Sequence, residues 1–294
     1  MPEMPEVETI RGDLSRHILN RGIVSLNIIF NKTAHNSAAF FKKSLLGRSF
    51  QAVGRRGKLL IFDIKGGDFL LVHLKMTGQL IYVGPSGRAA GGHSPKAGRQ
   101  SFLETIGGEL PNRHTRIWLE FKDGGRLYFN DLRKFGYWKI VDEAERDKIL
   151  KTAYGPEPLT KEFTAAGLIT IARGRKIKVK ALLLDQKKIA GLGNIYVDEA
   201  LWEAGIRPDR LAGTLKPAEI KKLWQAINKI IAKAIKYRGT TFSDYVDSSG
   251  RKGNFSSFLR VYGRAGGRCR RCGAVIKKEK IAGRGTHYCP NCQK

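Results

Sequence analysis

The chain begins "MPEMPEVETI" (Met1–Ile10), with Pro-Glu written twice in its first six residues. The second copy reads as a helix start, because Pro5 suits the first helical residue, where its missing N–H is one the helix leaves unpaired anyway. Glu6 and Glu8 then face the positive end of the helix dipole, and Val7, Ile10, Leu14 and Ile18 recur at the spacing of one apolar helical face. An N-terminal helix packed on a core follows. Pro2 and Glu3 lie outside it and carry a different chemistry. A proline at position 2 permits removal of the initiator methionine, which would leave a secondary amine. An α-amino group titrates near 8, against about 10.4 for lysine, so a neutral fraction exists at pH 7 without burial. Such an amine can attack an electrophilic sugar carbon to give a cationic iminium, with Glu3 beside it to move protons.

Outward from this helix, residues from about Gly22 to Ile140 read as β structure. The runs 50–64 (FQAVGRRGKLLIFDI), 68–84 (DFLLVHLKMTGQLIYVG), 115–121 (TRIWLEF) and 125–131 (GRLYFND) alternate or stay apolar between Gly, Asp and Lys breaks. A Gly-, Ser- and basic-rich insertion at about 84–112 separates two of them. The character changes near "YGPEPL" (154–159), beyond which 160–174, 178–185, 194–205 and 216–239 carry helical patterns. The order is β first, helical second, with a small tail. The expected domains are a catalytic β domain over 1–141, a linker over 142–160, a helical domain over 161–250 and a terminal module over 251–294.

Lys and Arg number 54 against 26 Asp and Glu, a formal charge of +28, which points to a polyanionic partner, nucleic acid first, over a small-molecule substrate. Residues 251–294 hold twelve Lys or Arg against Glu279 alone, so this tail is expected to touch phosphates. All four cysteines lie there, as Cys269-x2-Cys272 and Cys289-x2-Cys292. In a reducing compartment that spacing predicts one structural zinc ion on four thiolates; two disulfides are the alternative in a secreted chain. No run approaches the roughly eighteen uncharged apolar residues of a membrane span, and the acidic start is unlike a signal peptide. A cytoplasmic location is expected.

Taken in order, "MPEMPEVETI", "GRRGKLLIF", "HLKMTGQL", "NDLRKFGYW", "YGPEPL", "LLLDQKKIAGLGNIYVDEALWEAGIRP" and the four-cysteine tail resemble the formamidopyrimidine-DNA glycosylase (8-oxoguanine-DNA glycosylase) family of bacterial base-excision repair. The resemblance spans nearly the whole chain except the insertion. It implies an α+β fold: a β-sandwich with an N-terminal helix, a helix-two-turn-helix domain and a zinc ribbon. It implies a monomer acting on damaged double-stranded DNA in the bacterial cytoplasm, associated with the nucleoid through the DNA. The implied activity is excision of oxidised purines (8-oxoguanine and formamidopyrimidines), followed by β,δ-elimination at the abasic site.

By position, Pro2 resembles the family's nucleophile, Glu3 its acid/base residue and Lys58 the hairpin lysine brought to the damaged nucleotide. Met76, Arg133 and Phe135 resemble the residues that fill the gap left by an extruded base. An apolar wedge can occupy that hole while an arginine pairs with the orphaned partner. Asn194 and Arg284 resemble phosphate ligands, His73 a group near the lesion, His114 one near the phosphates, and Glu199 a supporting acid. Taken singly, Met76 and Phe135 suit a core and each histidine suits an interior position. Two other functions remain open. Endonuclease VIII-like glycosylases share the fold and nucleophile but prefer oxidised pyrimidines; the "PEMPEVE" start and the "DSSGRKGNFSSFLRVYGR" stretch (247–264) argue against them. A chain that keeps Met1 would bind DNA without catalysis, since an amide nitrogen at Pro2 is no nucleophile.

Overall fold

The structure, a computed structural model, describes residues 1–86, 108–240 and 253–294. Residues 87–107 of the insertion at about 84–112, and residues 247–252 of the 247–264 stretch, lie outside them. The chain forms two compact units, Met1–Leu150 with Tyr237–Asn254, and Lys151–Lys236 with Phe255–Lys294.

The first unit starts with helix α1 (Met4–His17), one residue earlier than the proline suggested, so Pro5 sits second in the helix. Two antiparallel four-stranded sheets follow. One contains β1 (Ile23–Ile28), β5 (Gly78–Val83), β6 (Thr115–Phe121) and β7 (Arg126–Asp131) in the order β1-β6-β7-β5. The other contains β2 (Phe50–Arg56), β3 (Leu59–Ile64), β4 (Phe69–His73) and β8 (Tyr137–Val141) in the order β2-β3-β4-β8. Their inner faces share one core: Val7, Ile10 and Leu14 of α1 lie with Phe50, Phe62 and Trp138 from one sheet and Leu80, Leu119 and Phe129 from the other. This is a β-sandwich closed by a helix.

The stretch read as continuous β structure is broken by α2 (Ala38–Leu45). Ser37 caps it, its hydroxyl accepting the Phe40 N–H at 3.2 Å, while Phe41 and Leu45 turn into the core. Adjacent Phe and Lys pairs obscured that period in the sequence. A further helix, α3 (Glu143–Ala153), runs within 142–160.

The second unit carries α4 (Ala165–Ala172), α5 (Val179–Leu184), α6 (Asn194–Ala204) and α7 (Pro217–Lys236), then the hairpin β9 (Lys277–Ile281) and β10 (Arg284–Tyr288). Between α5 and α6 the chain turns tightly: the Lys188 and Ile189 N–H groups both donate to the Asp185 carbonyl at 2.9 Å, and the Gly191 N–H donates to Gln186 Oε1 at 2.9 Å. In α7, buried Ile220, Leu223, Ile227 and Ile231 form one face at helical spacing. No helix among the described residues is long and apolar enough to cross a membrane.

A buried ion pair joins α5, α6 and β10. Lys180 Nζ lies 2.6 Å from Asp198 Oδ1 with neither side chain exposed, and it also donates to Thr286 Oγ1 at 2.8 Å. Asp198 Oδ2 accepts the His287 N–H at 2.8 Å. Removing one member of such a pair strands the other charge in a low-dielectric interior. Lys180→Met is therefore expected to destabilise this unit by about 3–5 kcal/mol. Hydrogen exchange would show faster amides in 194–204 and 284–288, and adding Asp198→Leu should recover part of the loss.

Candidate functional site

The start of α1 is fixed by two glutamates. The Glu3 N–H donates to Glu6 Oε2 at 2.8 Å, and the Glu3 carboxylate takes the Glu6 N–H in return, a reciprocal capping box. Pro2, Glu3 and Glu6 are buried while Met1 is exposed. With Met1 attached the Pro2 nitrogen is an amide; cleavage of that bond turns it into a secondary amine at a defined place on a rigid helix.

Lys58 sits in the two-residue turn between β2 and β3, where Arg56 pairs with Leu59 and Gly57 takes φ 57°, the left-handed value that glycine adopts at least cost. It is 6% exposed. This turn is tied to α1. Arg55 Nε donates to Glu8 Oε2 at 2.9 Å, Arg55 Nη1 donates to the Gly57 carbonyl at 3.0 Å, and Arg11 Nε holds the other Glu8 oxygen at 2.9 Å. Burial pushes the Glu8 carboxyl up, but the Arg11 and Arg55 guanidiniums outweigh it and hold it below the ordinary carboxylate value.

His73, the last residue of β4, is paired in register with Leu59, next to Lys58. Its Nδ1 accepts the Lys75 N–H at 3.0 Å, so the proton of the neutral ring is on Nε2. Burial, with Lys75 and Lys58 adding to it, pushes its pKa down from 6.5 to about 3.

Three loops of this unit carry the remaining expected contacts. Half-buried Met76 lies between β4 and β5. Arg133 and Phe135 lie between β7 and β8; Phe135 is 55% exposed, and the Arg133 guanidinium carbon stands 4.9 Å from its ring centroid. A buried aromatic would have placed Phe135 in the core, and it is not there. His114 precedes β6; its Nε2 accepts Arg113 Nε at 3.1 Å, and burial with the adjacent Arg113 and Arg116 holds it below the ordinary histidine value.

In the second unit Asn194 opens α6, and its Nδ2 donates to the Gly285 carbonyl at 2.9 Å. Exposed Arg284 is the neighbour of Gly285 at the start of β10, so these two expected phosphate ligands stand together. Asn194 Oδ1 is buried without a partner among the described residues. Glu199 turns elsewhere: its carboxylate accepts the backbone N–H groups of Arg260, Val261 and Tyr262 at 2.8–2.9 Å. Burial raises its pKa, and those three donors pull against the rise.

The sulfurs of Cys269, Cys272, Cys289 and Cys292 lie within 4.8 Å of one another, with Cys269–Cys292 at 3.9 Å and Cys272–Cys289 at 3.5 Å. Tetrahedral thiolates about 2.3 Å from a zinc ion stand about 3.8 Å apart, so the donor set fits that ion. Four thiolates leave no open coordination position, and the zinc is structural.

Sequence reasoning missed the framework of these groups. Glu6 could have been found from its spacing to Glu3, which is that of a capping box. Thr77, Asp131, Lys180 and Asp198 act through partners distant in sequence and left no local signal.

Two measurements follow. NMR of the imidazole nitrogens should find His73 neutral, with its proton on Nε2, down to at least pH 5. Because its folded pKa lies below its unfolded one, the unfolded chain binds the extra proton between those values. Its contribution to stability is therefore complete above pH 6.5 and declines as pH falls from 6.5 toward 3. His73→Gln should flatten that part of the pH–stability curve. Metal analysis should find one zinc per chain, and chelation under reducing conditions should unfold the region around Trp202, Val261 and Ile276, which pack with Cys269 and Cys289.

Residues 1–138 match the formamidopyrimidine-DNA glycosylase N-terminal domain, residues 154–246 the formamidopyrimidine-DNA glycosylase H2TH domain, and residues 266–294 the zinc finger found in FPG and IleRS. The formamidopyrimidine-DNA glycosylase of Carboxydothermus hydrogenoformans is 42% identical over 100% of both chains. A Lactococcus lactis FPG variant in complex with Fapy-dG containing DNA aligns over 100% of both chains with a TM-score of 0.85 and 35% identity. Wild-type Lactococcus lactis FPG in complex with oxidized pyrimidine containing DNA aligns over the same extent, again with a TM-score of 0.85 and 35% identity. All three parts of the chain match parts of one family, and a full-length relative shares 42% of its residues; the chain belongs to the formamidopyrimidine-DNA glycosylase family.

Proposed function

We propose that this protein is a bifunctional DNA glycosylase and abasic-site lyase of base-excision repair, acting on oxidised purines in duplex DNA. The observation that carries this is the buried Pro2–Glu3 pair, held at the start of α1 by the capping box, in a chain of this family. The relative bound to Fapy-dG DNA supports the lesion class.

In the mechanism we infer, the Pro2 nitrogen, freed of Met1, donates its lone pair to C1′ of the damaged nucleotide. The C1′–N bond to the base breaks, the base takes that electron pair and a proton, and Glu3 serves as the nearby proton carrier. The nitrogen then gives up its proton, the C1′–O4′ bond breaks with O4′ taking its electron pair and a proton, and the sugar opens to an iminium. Its positive charge acidifies the C2′ proton, and loss of that proton expels the 3′ phosphate. A second elimination expels the 5′ phosphate, and water releases the amine. Lys58, beside His73, supplies positive charge near the phosphates. Because His73 is neutral, it offers its Nε2–H as a donor without adding charge.

Met76, Arg133 and Phe135 fill the stack vacated by the extruded base, and Asn194, His114 and Arg284 hold backbone phosphates. Zinc keeps the hairpin that bears Arg284 in shape. The enzyme acts as a monomer in the bacterial cytoplasm, drawn to nucleoid DNA by its charge of +28. A wider substrate range is the second reading, because a relative holds DNA with an oxidised pyrimidine.

Borohydride trapping on a duplex with 8-oxoguanine opposite cytosine tests the proposal. A covalent adduct is expected on protein whose intact mass lacks Met1, and none on protein whose Pro2 is kept in a peptide bond by an N-terminal extension. Tight DNA binding with no adduct would overturn catalysis through Pro2. An adduct with an oxidised pyrimidine but not with 8-oxoguanine would overturn the purine assignment.

A further inference from the structure

We propose that Asp131, acting through Thr77, is a positioning residue that holds the Met76 loop and the Arg133–Phe135 loop as one preassembled block. This rests on the assignment of Met76, Arg133 and Phe135 as the wedge that replaces the extruded base.

Asp131 ends β7 and is fully buried, yet every polar group it has is engaged. Its Oδ1 accepts the Thr77 hydroxyl at 2.5 Å and the Arg133 N–H at 3.2 Å, and its Oδ2 accepts the Gly136 N–H at 2.7 Å. Thr77 closes the link, since its oxygen also accepts the Arg133 N–H at 3.0 Å. The backbone of Asp131 reaches the third loop: its N–H donates to the His114 carbonyl at 2.9 Å, and its carbonyl accepts Arg116 Nε at 2.9 Å. One buried residue thus meets three loops, and each loop bears a side chain assigned to DNA.

The loops need such a fastening. Lys75, next to Met76, has φ 49°, and Lys134, between Arg133 and Phe135, has φ 59°, both in the left-handed region that side chains disfavour. Arg133, Lys134 and Phe135 are all exposed around that left-handed turn. Gly136 leaves no room for another residue, because a Cβ there would stand 2.6 Å from Phe129 Cζ and 3.1 Å from the His73 carbonyl oxygen. Strained backbone on both loops, with a shared carboxylate beneath them, is the arrangement of a rigid tool. Leu132 and Phe135, each 55% exposed, project from a base that cannot shift independently. A wedge fixed before contact loses little conformational freedom when it enters the stack.

Thr77→Val keeps the volume and removes only the hydroxyl link, whereas Asp131→Ala takes the acceptor from the buried Gly136 N–H and from the Thr77 hydroxyl and risks unfolding. Extrusion is read by stopped-flow fluorescence of 2-aminopurine beside 8-oxoguanine, and single-turnover excision is compared with cleavage of a preformed abasic site, which has no base to unstack. Thr77→Val is expected to slow extrusion about tenfold or more and to lower the excision-to-cleavage ratio by a similar factor, with Thr77→Ser restoring both. A proportionate fall in both reactions at unchanged extrusion rate would reduce Thr77 and Asp131 to structural support and overturn the proposal. Phe135→Ala separates the two levels. If it leaves extrusion at the parental rate, the wedge assignment fails; if it slows extrusion while Thr77→Val does not, the linkage alone fails. If both slow it, Thr77→Val is expected to add little to Phe135→Ala.

Discussion

The first unit depends on one carboxylate. Glu6 Oε2 accepts the Glu3 N–H and Glu6 Oε1 accepts the Thr240 N–H at 2.7 Å, so a single buried side chain binds the beginning of the chain to a segment that returns from position 237 onward. A second bond runs beside it, from Arg238 Nη2 to buried Asp13 Oδ2 at 2.5 Å. Bonds from N–H groups to a charged acceptor are roughly twice as strong as neutral ones, and removing the acceptor leaves buried donors without partners. Helix α1 is therefore both a wall of the sandwich and the strap that fastens the returning segment. The nucleophile proposed at Pro2 precedes this strap by two residues, which is why a terminus that would ordinarily fray is held still.

The same device recurs throughout the molecule. Asp131 gathers loop N–H groups, Asp198 meets Lys180 and the His287 N–H, and Glu199 gathers three N–H groups from 260–262. Among the described residues, seven carboxylate side chains are buried, namely Glu3, Glu6, Asp13, Asp131, Glu157, Asp198 and Glu199, against three basic ones, Lys58, Arg116 and Lys180. Scarce acids are drawn inward to organise backbone while the plentiful bases remain outside. The surface is consequently more cationic than the net charge of the sequence alone indicates, and the same carboxylates that stabilise the fold leave the exterior free to attract a polyanion.

What could be read in the sequence was what is periodic or closely spaced. Strands such as Thr115–Phe121, the apolar face of α1 and the two Cys-x2-Cys pairs announce themselves within a few residues. The short helix Ala38–Leu45 was hidden because its two Phe and two Lys stand adjacent, so the period shows only once Phe41 and Leu45 are seen inside. The proposed site residues were legible through motifs, but their supports were not. Thr77 and Asp131 are 54 positions apart, and Lys180 and Thr286 are 106 apart. Pairings at that range are created by topology, through Gly78 opposite Asp131 in one case and α5 beside β10 in the other.

The bonds that start α1 run from Glu3 onward, since Glu3 is the cap, its N–H meets Glu6 and its carbonyl accepts the Val7 N–H at 3.1 Å. Met1 lies outside this set and is exposed. Its removal therefore takes no hydrogen bond from the helix cap, and the amine it uncovers inherits the position the folded helix already gives to Pro2. For the nucleophile proposed at Pro2, folding and activation are separable for that reason. The capping box makes the site rigid whether or not Met1 is present, and cleavage of one peptide bond changes only the chemistry of the nitrogen, from an amide whose lone pair is delocalised into a carbonyl to an amine able to form a bond to carbon.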